Sequence, residues 1–79
     1  MTTYVIRRID NEDSDSPGTA MYWHQPDNIS RAGYWVHWMS EATVYDDLAE
    51  AEERVSERRA TRDYYRLPYS LGLEPLRID

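Results

Sequence analysis

Seventy-nine residues make one domain, and a chain this short buries only roughly 60% of its unfolded surface on folding. It has no cysteine, which excludes disulfides and thiolate metal sites, so seven tyrosines and three tryptophans must carry much of the core. Fifteen acids against nine arginines, with no lysine, give a formal charge of −6; this argues against general nucleic-acid binding and fits solubility or attraction to a basic partner surface.

Thr2 to Asp10 reads as a strand, with Tyr4, Ile6 and Arg8 on one parity and Val5, Arg7 and Ile9 on the other. NEDSDSPG, Asn11 to Gly18, is a polar loop closed by Pro-Gly. Its acids resemble the spacing of a calcium loop, but the turn glycine and closing Glu of that pattern are missing, so an acidic loop is expected instead. Thr19 to Gln25 and Tyr34 to Met39 are aromatic and β-branched along most of their length and predict an antiparallel hairpin around a turn at Pro26 to Gly33. Thr43 to Tyr45 adds a short extended piece.

Ser40 to Asp63 holds the one long helical pattern. Asp46 is the expected N-cap, and Leu48, Ala51 and Val55 recur at helical spacing. Acids come early in it and arginines late, which suits the helix macrodipole. Beyond it, Pro68, Gly72 and Pro75 argue against a long helix or a central strand. The expectation there is an irregular tail that packs Leu67, Leu71 and Leu73 beside the helix, with Leu76 to Ile78 as a short edge strand. The fold class is therefore α+β: a small three-stranded antiparallel sheet packed by one helix, β-β-β-α, in a single domain 1–79.

No reaction is legible. The chain has no glycine-rich phosphate loop, no cysteine nucleophile and no serine elbow, and His24 and His37 alone do not make a closed zinc site. A non-enzymatic binding protein without cofactor or metal is expected. Arg58, Arg59, Arg62 and Tyr65 could form a phosphate patch, although arginines at a helix end more often complement its dipole or pair locally. The sharper signal is acidic. Asp46, Asp47, Glu50, Glu53 and Glu57 lie mostly on the outward side of the helix, and Asp13 and Asp15 stand in the loop. Carboxylates on a rigid element can stand in for phosphates before an Arg/Lys-rich groove. Trp23 and Trp35 are the expected apolar anchors of such a contact. Both parities of the second and third strands are apolar, which raises an alternative: a small structural protein that assembles through an aromatic sheet face.

The run GYWVHWMSEATVYDDLAEAEERV resembles a pattern in small phage and mobile-element proteins, in which a tryptophan-containing strand, an Ala-Thr step and an aromatic precede a capped Ala/Glu-rich helix. It covers about a third of the chain. Short length, acidity, lack of cysteine and a solitary helix on a sheet also resemble phage-encoded anti-CRISPR proteins. Several of these bind basic surfaces of an RNA-guided surveillance complex and keep target DNA out. The group shares no binding motif, so no residue is carried over. The resemblance implies a cytoplasmic protein of the bacterial host cell, a monomer or homodimer, whose partner is a host CRISPR complex, with no direct contact to nucleic acid or membrane. No cleavable leader or membrane-spanning run is read in the sequence.

Overall fold

A computed structural model describes residues 2–26 and 33–77. The elements in chain order are β1 (Thr2–Asp10), β2 (Ala20–His24), β3 (Tyr34–Val36), a 3-10 turn (Met39–Glu41), α1 (Leu48–Tyr65) and β4 (Tyr69–Arg77). The sheet has four strands in the order β3-β2-β1-β4, and every pairing is antiparallel. The turn expected at Pro26 to Gly33 falls largely outside the described residues.

Period-2 alternation decides which side of β1 meets the helix. Ile6 is fully buried and joins Trp23, Tyr45, Ala51, Val55, Tyr69 and Leu71 in one core, with Tyr4, Trp35 and Leu73 packed against it. The even positions of β1 therefore face α1. Each of these large side chains contributes about 1.5–3 kcal/mol when fully buried. Only Ala51 and Val55 of α1 are buried, one residue per turn, so the helix lies on the sheet by a narrow stripe. Arg58 of α1 widens it, and Arg8 of β1 lies over aromatics on the same side of the sheet. The Arg58 guanidinium sits 4.6 Å from the centre of the Trp23 ring, and that of Arg8 lies 4.4 Å from Tyr69 and 5.5 Å from Trp35.

The C-terminal segment bears out the expected edge strand at Leu76 and Arg77 and corrects the rest of the expectation. Residues 69–77 form no irregular tail but a nine-residue strand paired with β1 along its length, from Asp10↔Tyr69 to Thr2↔Arg77. Pro75 fits because β4 is an edge strand. Asn11 N–H donates to the Pro68 carbonyl, and Asp10 and Tyr4 bond on the opposite side of β1, so odd positions of β1 face even positions of β4. The missing N–H of Pro75 thus points away from the sheet, where no ladder bond needs it.

Two boundaries shift. The third strand ends at Val36 rather than Met39, and the 3-10 turn follows. The N-cap is Asp47, not Asp46: its carboxylate accepts from the amides of Ala49 (2.9 Å) and Glu50 (3.4 Å). The backbone of the preceding Tyr45 is held by β1, so the chain turns into the helix one residue later. At its far end α1 closes in a Schellman motif, with Leu67 N–H on the Arg62 carbonyl (2.9 Å) and Arg66 N–H on that of Asp63 (3.3 Å). Arg66 takes the left-handed conformation there, φ 55°.

Candidate binding surface

The two acidic clusters sit at opposite ends of the sheet. The loop after β1 is at the end where α1 finishes, because Asp10 pairs with Tyr69 and Asn11 bonds Pro68. The helix starts at the other end, where Tyr45 bridges Tyr4. Tyr4 and Asp10 are six strand positions apart, which is roughly 20 Å at about 3.4 Å per residue. The Debye length at physiological salt is ~8 Å, so the clusters act as separate fields.

Within the loop, Asp10 is buried and structural. It accepts from Arg8 Nε (2.9 Å) and from Ser14 Oγ (3.1 Å). Asn11 Oδ1 accepts the amide of Asp13 (3.0 Å), a turn that leaves the Asp13 and Asp15 side chains outward and exposed.

At the helix start the acids divide by role. Asp47 is the cap. Glu57 lies 2.7 Å from Arg54 Nη1 and Glu53 lies 3.8 Å from the same atom, so Arg54 offsets part of both charges. Asp46 is exposed and Glu50 half-buried. The stretch from Trp38 to Glu53 carries six carboxylates and no arginine, and Glu41 and Glu52 are exposed members of it. Apolar side chains come to the surface in the same stretch: Trp38 is 69% exposed, Val44 49% and Leu48 45%.

The expected tryptophan anchors are elsewhere. Trp23 is 4% exposed, and its ring meets Trp35 edge-to-face at 5.2 Å beneath Arg58. Trp35 is half-buried and touches Tyr69 at 6.0 Å. Both point to the helix side; Trp23 belongs to the core and Trp35 packs against it, half-buried. Trp38, three residues beyond Trp35, is the outward tryptophan. Its signal was the Met-Ser-Glu that follows, too polar to continue an aromatic strand.

The arginines of the second half of α1 are spent on the fold. Arg58 covers Trp23, Arg59 Nη2 donates to the Leu71 carbonyl (3.0 Å), and Arg62 binds Asp63 (3.1 Å) and reaches the Tyr69 carbonyl (3.4 Å). These contacts are the local pairing expected of arginines at a helix end. Burial pushes the Tyr69 hydroxyl above its usual pKa, against the pull of Arg8, Arg58 and Arg62. Burial does the same to Tyr45, with Arg54 opposing it; the Tyr45 hydroxyl donates to Gln25 Oε1 at 3.4 Å. His24 Nδ1 lies 2.7 Å from the Glu41 carbonyl and donates to it, tying the 3-10 turn to β2.

A groove of about 370 Å³ runs between α1 and β4, lined by Glu52, Val55, Ser56, Arg59 and Leu73. Among the described residues no group of three His, Asp or Glu side chains could hold a metal ion, and no helix is long and apolar enough to cross a membrane. Compared with family models, curated proteins and solved structures, the chain matches none.

Proposed function

We propose that this chain is a non-enzymatic protein inhibitor of anti-CRISPR type, which occupies a basic nucleic-acid-binding surface of a host RNA-guided complex and so blocks target DNA. One observation supports it most: the helix-start stretch, where six carboxylates, only Glu53 of them near an arginine, share the chain from Trp38 to Glu53 with exposed Trp38, Val44 and Leu48. Carboxylates there supply the field that steers a basic groove, and desolvated aromatic and aliphatic contacts supply the affinity. Asp13 and Asp15 stand outside this contact and add only to the net charge.

The test is affinity capture from a nuclease-treated lysate of CRISPR-bearing bacteria, followed by competition of the captured complex with its target DNA. Stoichiometric recovery of surveillance-complex subunits, released by DNA, is the expected result. A triple charge reversal, Asp46→Lys with Glu50→Lys and Glu53→Lys, leaves the Asp47 cap in place and is expected to abolish the competition. A folded triple variant that still excludes DNA would sink the acidic mechanism, and capture of bait alone across lysates of several CRISPR types would sink the inhibitor reading.

A second reading is assembly through the sheet face opposite α1. That face carries Ile9, Tyr22 and Val36, all half-buried, and a side chain added at Gly72 would meet no atom within 4 Å. If this face assembles, light scattering will give a multiple of the chain mass that Tyr22→Lys reduces to one. A concentration-independent monomer removes the reading.

A further inference from the structure

The free edge of β4 carries a different device. Its odd positions point their backbone groups away from β1, and such a row is a template for pairing with another chain. No helix or loop covers it among the described residues; beside it lies the groove lined by Glu52, Ser56 and Arg59. We infer that Arg59, Arg62 and Pro75 close this edge and hold the chain back from strand addition to a second copy of itself.

Each guard removes one bonding group. Arg59 Nη2 occupies the Leu71 carbonyl at 3.0 Å, and Arg62 Nη1 reaches that of Tyr69 at 3.4 Å. The Tyr69 amide is turned back onto the Leu67 carbonyl at 3.0 Å. Pro75 has no N–H to give. What remains is the Leu71 amide, the amide and carbonyl of Leu73, and the Pro75 carbonyl. A second β4 would pair antiparallel with Leu73 against its own copy, the one register centred on that remainder. The same register sets Pro75 against Leu71 of the other copy. There the pyrrolidine ring takes the place of a hydrogen, and the carbonyl it meets is already held by Arg59. Each pair flanking Leu73 thus loses one of its two ladder bonds, keeping only that from the Leu71 amide to the Pro75 carbonyl of the other copy. Arg59 and Arg62 reach the edge from α1, so the helix restrains the strand without covering it.

The guards are tested by amide hydrogen exchange and by sedimentation of the whole chain. In the wild type the Leu71 and Leu73 amides should exchange faster than those of Gly72 and Glu74, which face β1, by on the order of a hundredfold. In Arg59→Ala/Pro75→Thr the edge regains a donor and an open acceptor. The chain should then sediment as a dimer at NMR concentrations, and the Leu71 and Leu73 amides should become as slow as their neighbours. Pro75→Thr alone changes an exposed residue and keeps the test available should the double variant fail to fold; it should show partial association and partial protection. Wild-type protection at Leu71 and Leu73 equal to that at Gly72 would overturn the inference. So would folded variants that remain monomers with fast exchange at both amides.

Discussion

Tyr4 and Tyr45 exchange both of their backbone hydrogen bonds, 2.7 Å from the Tyr4 amide to the Tyr45 carbonyl and 2.8 Å in return. β2 pairs with β1 only from Arg7 to Ile9, so the half of β1 that precedes Arg7 has an open side. Tyr45 fills part of it as a one-residue strand. The bridge fixes the start of α1 and brings the Tyr45 ring into the core. The acidic surface is held in place from behind by this contact.

Alkaline pH should unfold the domain through its buried phenols. Tyr45 and Tyr69 both titrate above their ordinary value of 10.0, chiefly because burial disfavours the phenolate. A folded pKa above the unfolded one means that their contribution is fully present below pH 10 and is lost as pH rises through 10 toward the raised value. Denaturant melts should therefore be flat from neutrality to about pH 9 and fall above pH 10. Tyr45→Phe should flatten part of that fall. A stability that is level up to pH 11 in the wild type would contradict the assignment.

Asp46 and Asp47 are adjacent and exposed, yet only one caps. Asp47→Ala should cost about 1 kcal/mol in urea unfolding. Asp46→Ala should fall within about 0.5 kcal/mol of the wild type while weakening partner binding. The reverse order of stabilities would return the cap to Asp46.

Arg66 holds a left-handed backbone, φ 55°, at the position where helices favour glycine. An L side chain costs roughly 1–2 kcal/mol in that region, and glycine removes the strain while adding unfolded-state entropy. Arg66→Gly should raise stability by about 0.5–1 kcal/mol, seen as a higher Tm by circular dichroism. A lower Tm would mean that the Arg66 side chain makes a contact worth more than the strain.

The tryptophans separate folding from binding. Trp23→Ala should destabilise by about 3–5 kcal/mol, enough to unfold much of a domain this small. Trp38→Ala should leave the melt within about 0.5 kcal/mol and lower partner affinity by on the order of tenfold to a hundredfold. Calorimetric titration against the captured partner measures the second, and equal affinities for wild type and Trp38→Ala would remove Trp38 from the contact.

β1, the hairpin residues of β2 and the body of α1 were legible because their periods are strong and local. β4 was not, although Tyr69, Leu71 and Leu73 alternate with Ser70, Gly72 and Glu74 as a half-buried strand should. Gly72 and Pro75 read as breakers until the partner is known. Only pairing with β1 shows that Pro75 faces outward and that Gly72 lies opposite Arg7. The candidate surface failed at the same level. Trp23 and Trp35 could be sorted from Trp38 only by knowing that β3 stops at Val36 and which parity α1 covers. The loop and helix acids, close in kind, are separated by the length of β1, a distance no local pattern encodes.

The pairing of β1 with β4 also sets how the chain must fold. Asp10 and Tyr69 are 59 positions apart, and Thr2 and Arg77 are 75. Closing a loop of about 60 residues costs roughly 3.6 kcal/mol of chain entropy before any contact repays it. The helix cannot finish its core early, since Tyr69 and Leu71 belong to it. Collapse should therefore be all-or-none, with a rate nearer that of mixed sheet-helix domains than of helical bundles. On the ribosome the nascent chain should stay unfolded until β4 has left the exit tunnel. Stopped-flow tryptophan fluorescence should show one exponential phase, slowed by Leu71→Ala if that closure forms in the transition state.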